Sequence, residues 1–175
     1  MSWLDDVGKV LKQYTSGGAA AAPAPDVHAH FDQVMQAAPS GTIAEGLAAA
    51  FRSDRTPAFG QLLSTLFTNS NGDQKAGMLN QLLSSVSPTT ITQILSGAGL
   101  TGLLGGTGAQ LTPDQAQKVS PDVVQQLAAH AEKTNPSIID SLSSFYAQHS
   151  TLVKTLGSGV LTVALAKIAE RQRQA

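Results

Sequence analysis

Five times in this chain a Ser, Thr or Asn stands directly before a proline: Thr56-Pro57, Ser87-Pro88, Thr112-Pro113, Ser120-Pro121 and Asn135-Pro136. Each pair reads as a helix start. The polar side chain can accept a backbone N–H of the first turn, and proline at the first helical position lacks only an N–H that would find no partner there. Thr112-Pro113-Asp114 and Ser120-Pro121-Asp122 form a near-repeat eight residues apart. Gln115 completes a capping box with Thr112. A chain punctuated this often is expected to fold as many short helices.

The residues between these starts agree, because apolar side chains recur three and four apart. Asp26 reads as a cap ahead of Phe31, Val34 and Met35. Thr42-Ile43-Ala44-Glu45 reads as a second capping box, opening a helix through Leu47 and Phe51. Phe59, Leu62, Leu63, Leu66 and Phe67 form the next stripe, and Met78, Leu79, Leu82, Leu83 and Val86 the one after a turn at Asn69 to Gly72. Ile91, Ile94 and Leu95 follow, then Val123, Val124 and Leu127, then Ile138, Ile139, Leu142 and Phe145, with Tyr146 lying beside that last stripe. From about Ser150 a final helix carries Leu152, Val153, Leu156, Val160, Leu161, Val163, Leu165 and Ile168. It is apolar over more than one face, which marks a central helix. No run alternates apolar and polar residues between hairpin turns. The expected class is all-α, a compact multihelical bundle.

The N-terminus stands apart. Trp3, Leu4, Val7, Val10, Leu11 and Tyr14 make one apolar stripe, and a helix this short must dock on something to persist. The Ser16-Gly17-Gly18 sequence and the Ala/Pro run to Pro25 have the composition of a tether. The expected organisation is an amphipathic helix over 1–15, a linker over 16–25 and a helical domain over 26–175, with a division of that domain into halves at the glycine-rich segment 97–108. The helix begins with acids, so docking on protein is preferred to peripheral membrane contact.

Composition narrows function mostly by exclusion. Charged residues are 13% of the chain and the formal net charge is −1. So low a charge weakens the repulsion that keeps copies apart. The eleven Lys and Arg are scattered, so no nucleic acid is expected as a partner. Lys167, Arg171 and Arg173 near the end read as complements to a helix dipole. There is no cysteine, which excludes disulfides, thiol chemistry and zinc–thiolate sites. With no signal-like or spanning segment, a soluble cytoplasmic protein is the expectation.

The chemical motifs give way to plainer readings. Gly97-Ala98-Gly99-Leu100-Thr101-Gly102 spells the G-x-G-x-x-G fingerprint, but that fingerprint works between a strand and a helix. What precedes it here is helical, so a linker or hinge is the better reading and no cofactor is expected. His28 and Asp32 lie on one helical face, yet a metal site needs three or four ligands. His130 and His149 are distant in sequence, and no metal is expected. No serine sits in a nucleophile elbow and no acid pair is placed by motif. Gly157 and Gly159, read as inside the last helix, would let another helix approach closely.

The opening Met1-Ser2-Trp3-Leu4-Asp5-Asp6-Val7, the glycine-rich tether and the multihelical body with glycine-rich loops together resemble the YidB-like group of small uncharacterised bacterial proteins. Phe145-Tyr146-Ala147-Gln148-His149 and Leu152-Val153-Lys154-Thr155-Leu156-Gly157 carry part of the likeness, and the longer tail with its own helices departs from it. The resemblance implies an all-helical bacterial cytoplasmic protein and supplies no activity or site. The expected function is a non-enzymatic helical interaction or assembly protein that self-associates as a homo-oligomer. Its candidate contacts are Trp3, Leu4, Val7, Val10, Leu11, Tyr146, Gly157 and Gly159. The alternative is a small-molecule binder or enzyme with a pocket between helices near the glycine-rich segment.

Overall fold

In the computed structural model, which describes residues 3–16, 26–104 and 110–174, helix follows helix and no strand occurs among the described residues. The elements are α1 (Trp3–Ser16), α2 (Val27–Ala37), α3 (Ser40–Phe51), α4 (Phe59–Asn69), α5 (Gly72–Ser85), α6 (Pro88–Gly97), α7 (Pro113–Gln117), α8 (Pro121–Thr134), α9 (Ile138–Ala147), α10 (Ser150–Val153) and α11 (Ser158–Gln174). Short 3-10 turns occupy Thr101–Leu104 and Lys154–Leu156. The fold is all-α. The linker expected over 16–25 lies outside the described residues apart from Ser16.

Three of the proline signals start their helices as written. Ser87, Thr112 and Ser120 each accept the N–H three residues on, and the Thr112 N–H donates in return to the Gln115 side chain at 3.0 Å. Others are used differently. Thr56 closes the preceding helix instead of opening the next: its hydroxyl lies within bonding distance of the carbonyls of Ala50, at 2.6 Å, and Ser53, at 2.9 Å. Helix α4 then starts later, at Phe59. The Thr42–Glu45 box does not form, because Pro39, at φ −57° and ψ 142°, starts α3 at Ser40 and leaves Thr42 inside the helix. Glu45 instead reaches Arg171 at 2.9 Å. Asp26 precedes α2 without a side-chain bond to it. A capping box that spacing alone did not single out joins Asn71 and Gln74 at the start of α5.

The chain divides into two units, Met1–Pro57 with Ser143–Ala175, and Ala58–Leu142. The boundaries fall near 57 and 142, and the described residues of the glycine-rich segment, 97–104, lie within the second unit.

In the first unit α11 is central. Every residue from Val160 to Ala166 is buried, and α3, α1 and α2 pack against it. Buried Thr162 donates within the helix to the Ser158 carbonyl at 2.8 Å, which satisfies a hydroxyl that has left water. Helix α3 comes so close at Gly46 that a Cβ there would overlap the Ile168 side chain and stand 3.1 Å from the Ala164 carbonyl oxygen. The expected single last helix is broken: the axis turns by 117° between 150–156 and 158–174. Gly157 makes the turn at φ +89° and ψ 160°. That conformation is essentially confined to glycine. No helix among the described residues is long and apolar enough to cross a membrane alone, though the bent pair together has the length and composition.

In the second unit the main contact is α4 on α8. Phe59, Leu62, Leu63, Leu66 and Phe67 are all buried, as are Val123, Val124, Leu127, Ala128 and Ala131. A Cβ on Gly60 would stand 2.8 Å from the Gln125 carbonyl oxygen, so this crossing also depends on a glycine. Asn80 on α5 holds Leu111 through both main-chain groups: the Leu111 N–H donates to Oδ1 at 2.7 Å, and Nδ2 donates to the Leu111 carbonyl at 3.3 Å. The G-x-G-x-x-G stretch is the end of α6. Gly99 has φ +73°, its N–H donates to the Ser96 carbonyl at 3.1 Å, and the Leu100 N–H donates to the Leu95 carbonyl at 2.7 Å. This pair of bonds around a left-handed glycine is the Schellman ending of a helix.

Candidate functional site

Helix α1 presents the stripe read from the sequence, and its described members face inward. Val7, Leu11 and Tyr14 are buried and Val10 is half-buried, while Asp5, Lys9 and Gln13 on the opposite side are exposed. The side chains of Trp3 and Leu4 lie outside the described ones. The helix rests on α11 and, less extensively, on α2. Val27, Phe31 and Val34 are buried on α2, and Met35 is half-buried. The stripe repeats at three and four residues, so a single helical face carries it.

One polar contact fixes the end of this helix. The Tyr14 hydroxyl and His30 Nδ1 share a hydrogen bond of 2.8 Å, with the rings edge to face at 5.9 Å between centroids. Burial raises the Tyr14 phenol above its ordinary value, and the nearby Asp26 carboxylate adds to this. Nothing in local spacing could have found this pair, since the partners are sixteen residues apart with the linker sequence between them. Further along α2, Asp32 meets Lys154 at 3.0 Å, so its carboxylate is engaged by a cation and not by His28, which is exposed. Among the described residues no three His, Asp or Glu side chains gather where a metal could sit.

The remaining candidates part company with the stripe. Tyr146 is fully buried, so it is core and not a surface contact; Phe145 is the half-exposed one. At about 100° per residue Tyr146 falls between Leu142 and Ile139 on α9, whereas Phe145 falls outside Ile138. Phe145 stacks instead on His149, centroids 4.6 Å apart, and its carbonyl is 2.8 Å from His149 Nδ1. Gly157 and Gly159 do not admit a neighbouring helix, since a Cβ on either would meet nothing within 4 Å. The close approaches between long helices are at Gly46 and Gly60, which spacing does not mark because each sits singly in an ordinary stripe. Of the terminal cations, Lys167 pairs with Glu170 at 2.9 Å and Arg171 with Glu45.

A depression of about 370 Å³ lies in the second unit between the end of α6 and the start of α8. Gln93, Ile94, Ser120, Asp122, Val123 and Gln126 line it. No family model, curated protein or solved structure matches the chain.

Proposed function

We propose that this protein is a non-enzymatic assembly protein that acts through helix-on-helix contact and associates with itself. The observation that carries the reading is the docking of Val7, Leu11 and Tyr14 of α1 on helices of the body across a linker of Gly, Ala and Pro. A short amphipathic helix set apart in this way is a recognition element, since such helices bind by laying an apolar face into a groove. Low charge supports the same reading: the net charge is −1, which offers little repulsion between copies. Light scattering across a wide concentration range tests it. A mass that grows with concentration is expected, and a strict monomer throughout would overturn it.

A second reading rests on the depression beside α8. Its volume falls within the range of small-molecule sites, roughly 300 to about 1000 Å³. Its polar lining is the amides of Gln93 and Gln126, the Ser120 hydroxyl and the Asp122 carboxylate, which suits a small polar ligand. A thermal-shift screen with nucleotides, sugars and amino acids would favour this reading if one compound raised the melting temperature with its concentration.

A further inference from the structure

We propose that Asn71 is a site of spontaneous covalent modification: the Gly72 main-chain nitrogen displaces its side-chain amide and water opens the resulting ring, at a rate gated by the cap of α5. The proposal is independent of the self-association argued above.

Asn71-Gly72 is the single Asn-Gly pair of the chain; Asn69, Asn80 and Asn135 are followed by Ser70, Gln81 and Pro136. The following residue matters because it supplies the attacking nitrogen. Glycine has no Cβ to obstruct a close main-chain approach, whereas proline has no N–H to lose. The reaction needs no oxidant or reductant. The Gly72 N–H gives its proton to solvent, the nitrogen bonds to Asn71 Cγ, and Nδ2 leaves as ammonia. Water then splits the five-membered imide at one of two bonds. Breaking the bond to Cγ restores the main chain with aspartate at 71. Breaking the bond to the Asn71 main-chain carbonyl gives isoaspartate, in which the chain runs through Cβ and Cγ.

The fold leaves the reacting groups within reach of water and puts a latch on them. Asn71 is exposed, and Gly72 is the first residue of α5, where a main-chain N–H has no partner inside the helix. Closing the ring requires rotation about the Asn71 Cα–C bond, which stands at ψ 174°. Three hydrogen bonds oppose that rotation. Oδ1 accepts the Gln74 N–H at 2.9 Å, the Asn71 N–H donates to Gln74 Oε1 at 3.0 Å, and the Asn71 carbonyl accepts the Lys75 N–H at 2.9 Å. All three belong to a helix end, the part that frays most readily. The rate in the folded chain is therefore the intrinsic rate of the pair, reduced by the fraction of time the cap is open.

The two products act differently on the fold. Aspartate keeps an oxygen for the Gln74 N–H and places a negative charge at the positive end of α5. Isoaspartate inserts a methylene into the chain just before Gly72 and takes the cap apart. At Gly72 α5 passes close to α7: a Cβ there would stand 2.8 Å from Gln117 Nε2 and 3.2 Å from Pro113 Cβ. One product preserves the seat of α7 on α5, and the other loosens it.

The experiment incubates the full chain at mildly alkaline pH, folded or in guanidinium chloride, with circular dichroism to follow helix content. Peptide mass mapping reads residue 71, and an isoaspartyl methyltransferase assay tells the products apart. In denaturant Asn71 is expected to convert ahead of Asn69, Asn80 and Asn135. In the folded chain it should convert more slowly by about three- to thirtyfold, the factor set by one helix cap. Gln74→Ala should close most of that gap. Gly72→Ala should slow conversion even in denaturant, where packing against α7 plays no part. An Asn71 no more reactive in denaturant than the other asparagines overturns the proposal. So does a folded chain whose Asn71 stays intact long past the expected interval. A folded Gln74→Ala chain that converts no faster than wild type overturns the gating by the cap.

Discussion

Gly46 on α3 lies against Ile168 on α11 so closely that a Cβ added at Gly46 would overlap the Ile168 side chain as it is placed. The corresponding crossing in the second unit sets Gly60 of α4 against the Gln125 backbone of α8. Each unit thus has its largest helix contact built over one glycine.

Replacing either glycine by alanine should destabilise by about 1–3 kcal/mol, the usual cost of overpacking, and should outweigh the ~1 kcal/mol that alanine gains as a helix former. Gly60→Ala is expected to be the worse, since its obstacle is main chain, whereas at Gly46 the nearest obstacle is a side chain that can turn. Gly41→Ala is the control, as a Cβ there meets nothing within 4 Å. Urea midpoints should fall for the first two and hold or rise for the third. A Gly60→Ala midpoint equal to wild type would mean the crossing is looser than described.

Gly157 and Gly159 should respond in opposite directions although both have open space around them. At Gly157 the backbone itself forbids a side chain, and alanine should cost about 1–3 kcal/mol in strain. At Gly159, inside α11, alanine should be neutral or gain up to about 1 kcal/mol. Thermal melts of the two variants suffice, and equal losses would argue against the turn at 157.

The caps provide a test in which motif and structure disagree. Asn71 accepts the Gln74 N–H at 2.9 Å. Asn71→Ala should therefore cost about 1 kcal/mol. Thr42 sits within α3 and caps nothing. Thr42→Ala should cost nothing and can gain up to roughly 0.5 kcal/mol, since alanine is the better residue inside a helix. If Thr42→Ala proves the costlier of the two in denaturant titrations, α3 begins where the sequence motif placed it.

That disagreement shows what local spacing can and cannot convey. Stripes such as Phe59 to Phe67 are legible because burial follows the 3.6-residue period, and Ser120-Pro121 is legible because a cap and its helix are neighbours in the chain. Thr56 is misleading because the same hydroxyl can close one helix as readily as open another, and only the path of the chain through Ser53 decides. Tyr146 and Phe145 exchange places because hydrophobicity ranks them in the wrong order while helical angle ranks them correctly. Gly46, Gly60 and the Tyr14–His30 pair leave no local trace, since each depends on a partner brought in by the fold. Of the candidate surface, Val7, Leu11 and the half-buried Val10 are readable, and the helices that receive them are not.

Alkaline pH should weaken the molecule through its tyrosines. Burial raises the phenols of both Tyr14 and Tyr146 in the folded state. A group whose folded pKa lies above its unfolded one contributes stability that is full below the unfolded value, about 10 for tyrosine, and is lost as pH rises above it. Tyrosinate absorbance should therefore lag the ordinary titration until the structure opens. Tyr14→Phe should remove the part of the loss that comes from α1 and leave the part from Tyr146. A Tyr14 that ionises at its ordinary value in folded protein would show that α1 is not held as described.

The order of the two units along the chain has a consequence for synthesis. Helix α11, which forms the middle of the first unit, is made after α1 to α10, and everything in Ala58–Leu142 has emerged before it. The second unit can close as soon as α8 and the start of α9 appear. The apolar faces of α2 and α3, with Phe31, Val34, Leu47 and Phe51, must wait for a partner more than a hundred residues behind them. At ~5–20 residues per second, that wait is on the order of ten seconds. During this interval the growing chain carries one finished unit behind one unfinished, and its early helices are the segments a ribosome-associated chaperone would be expected to hold.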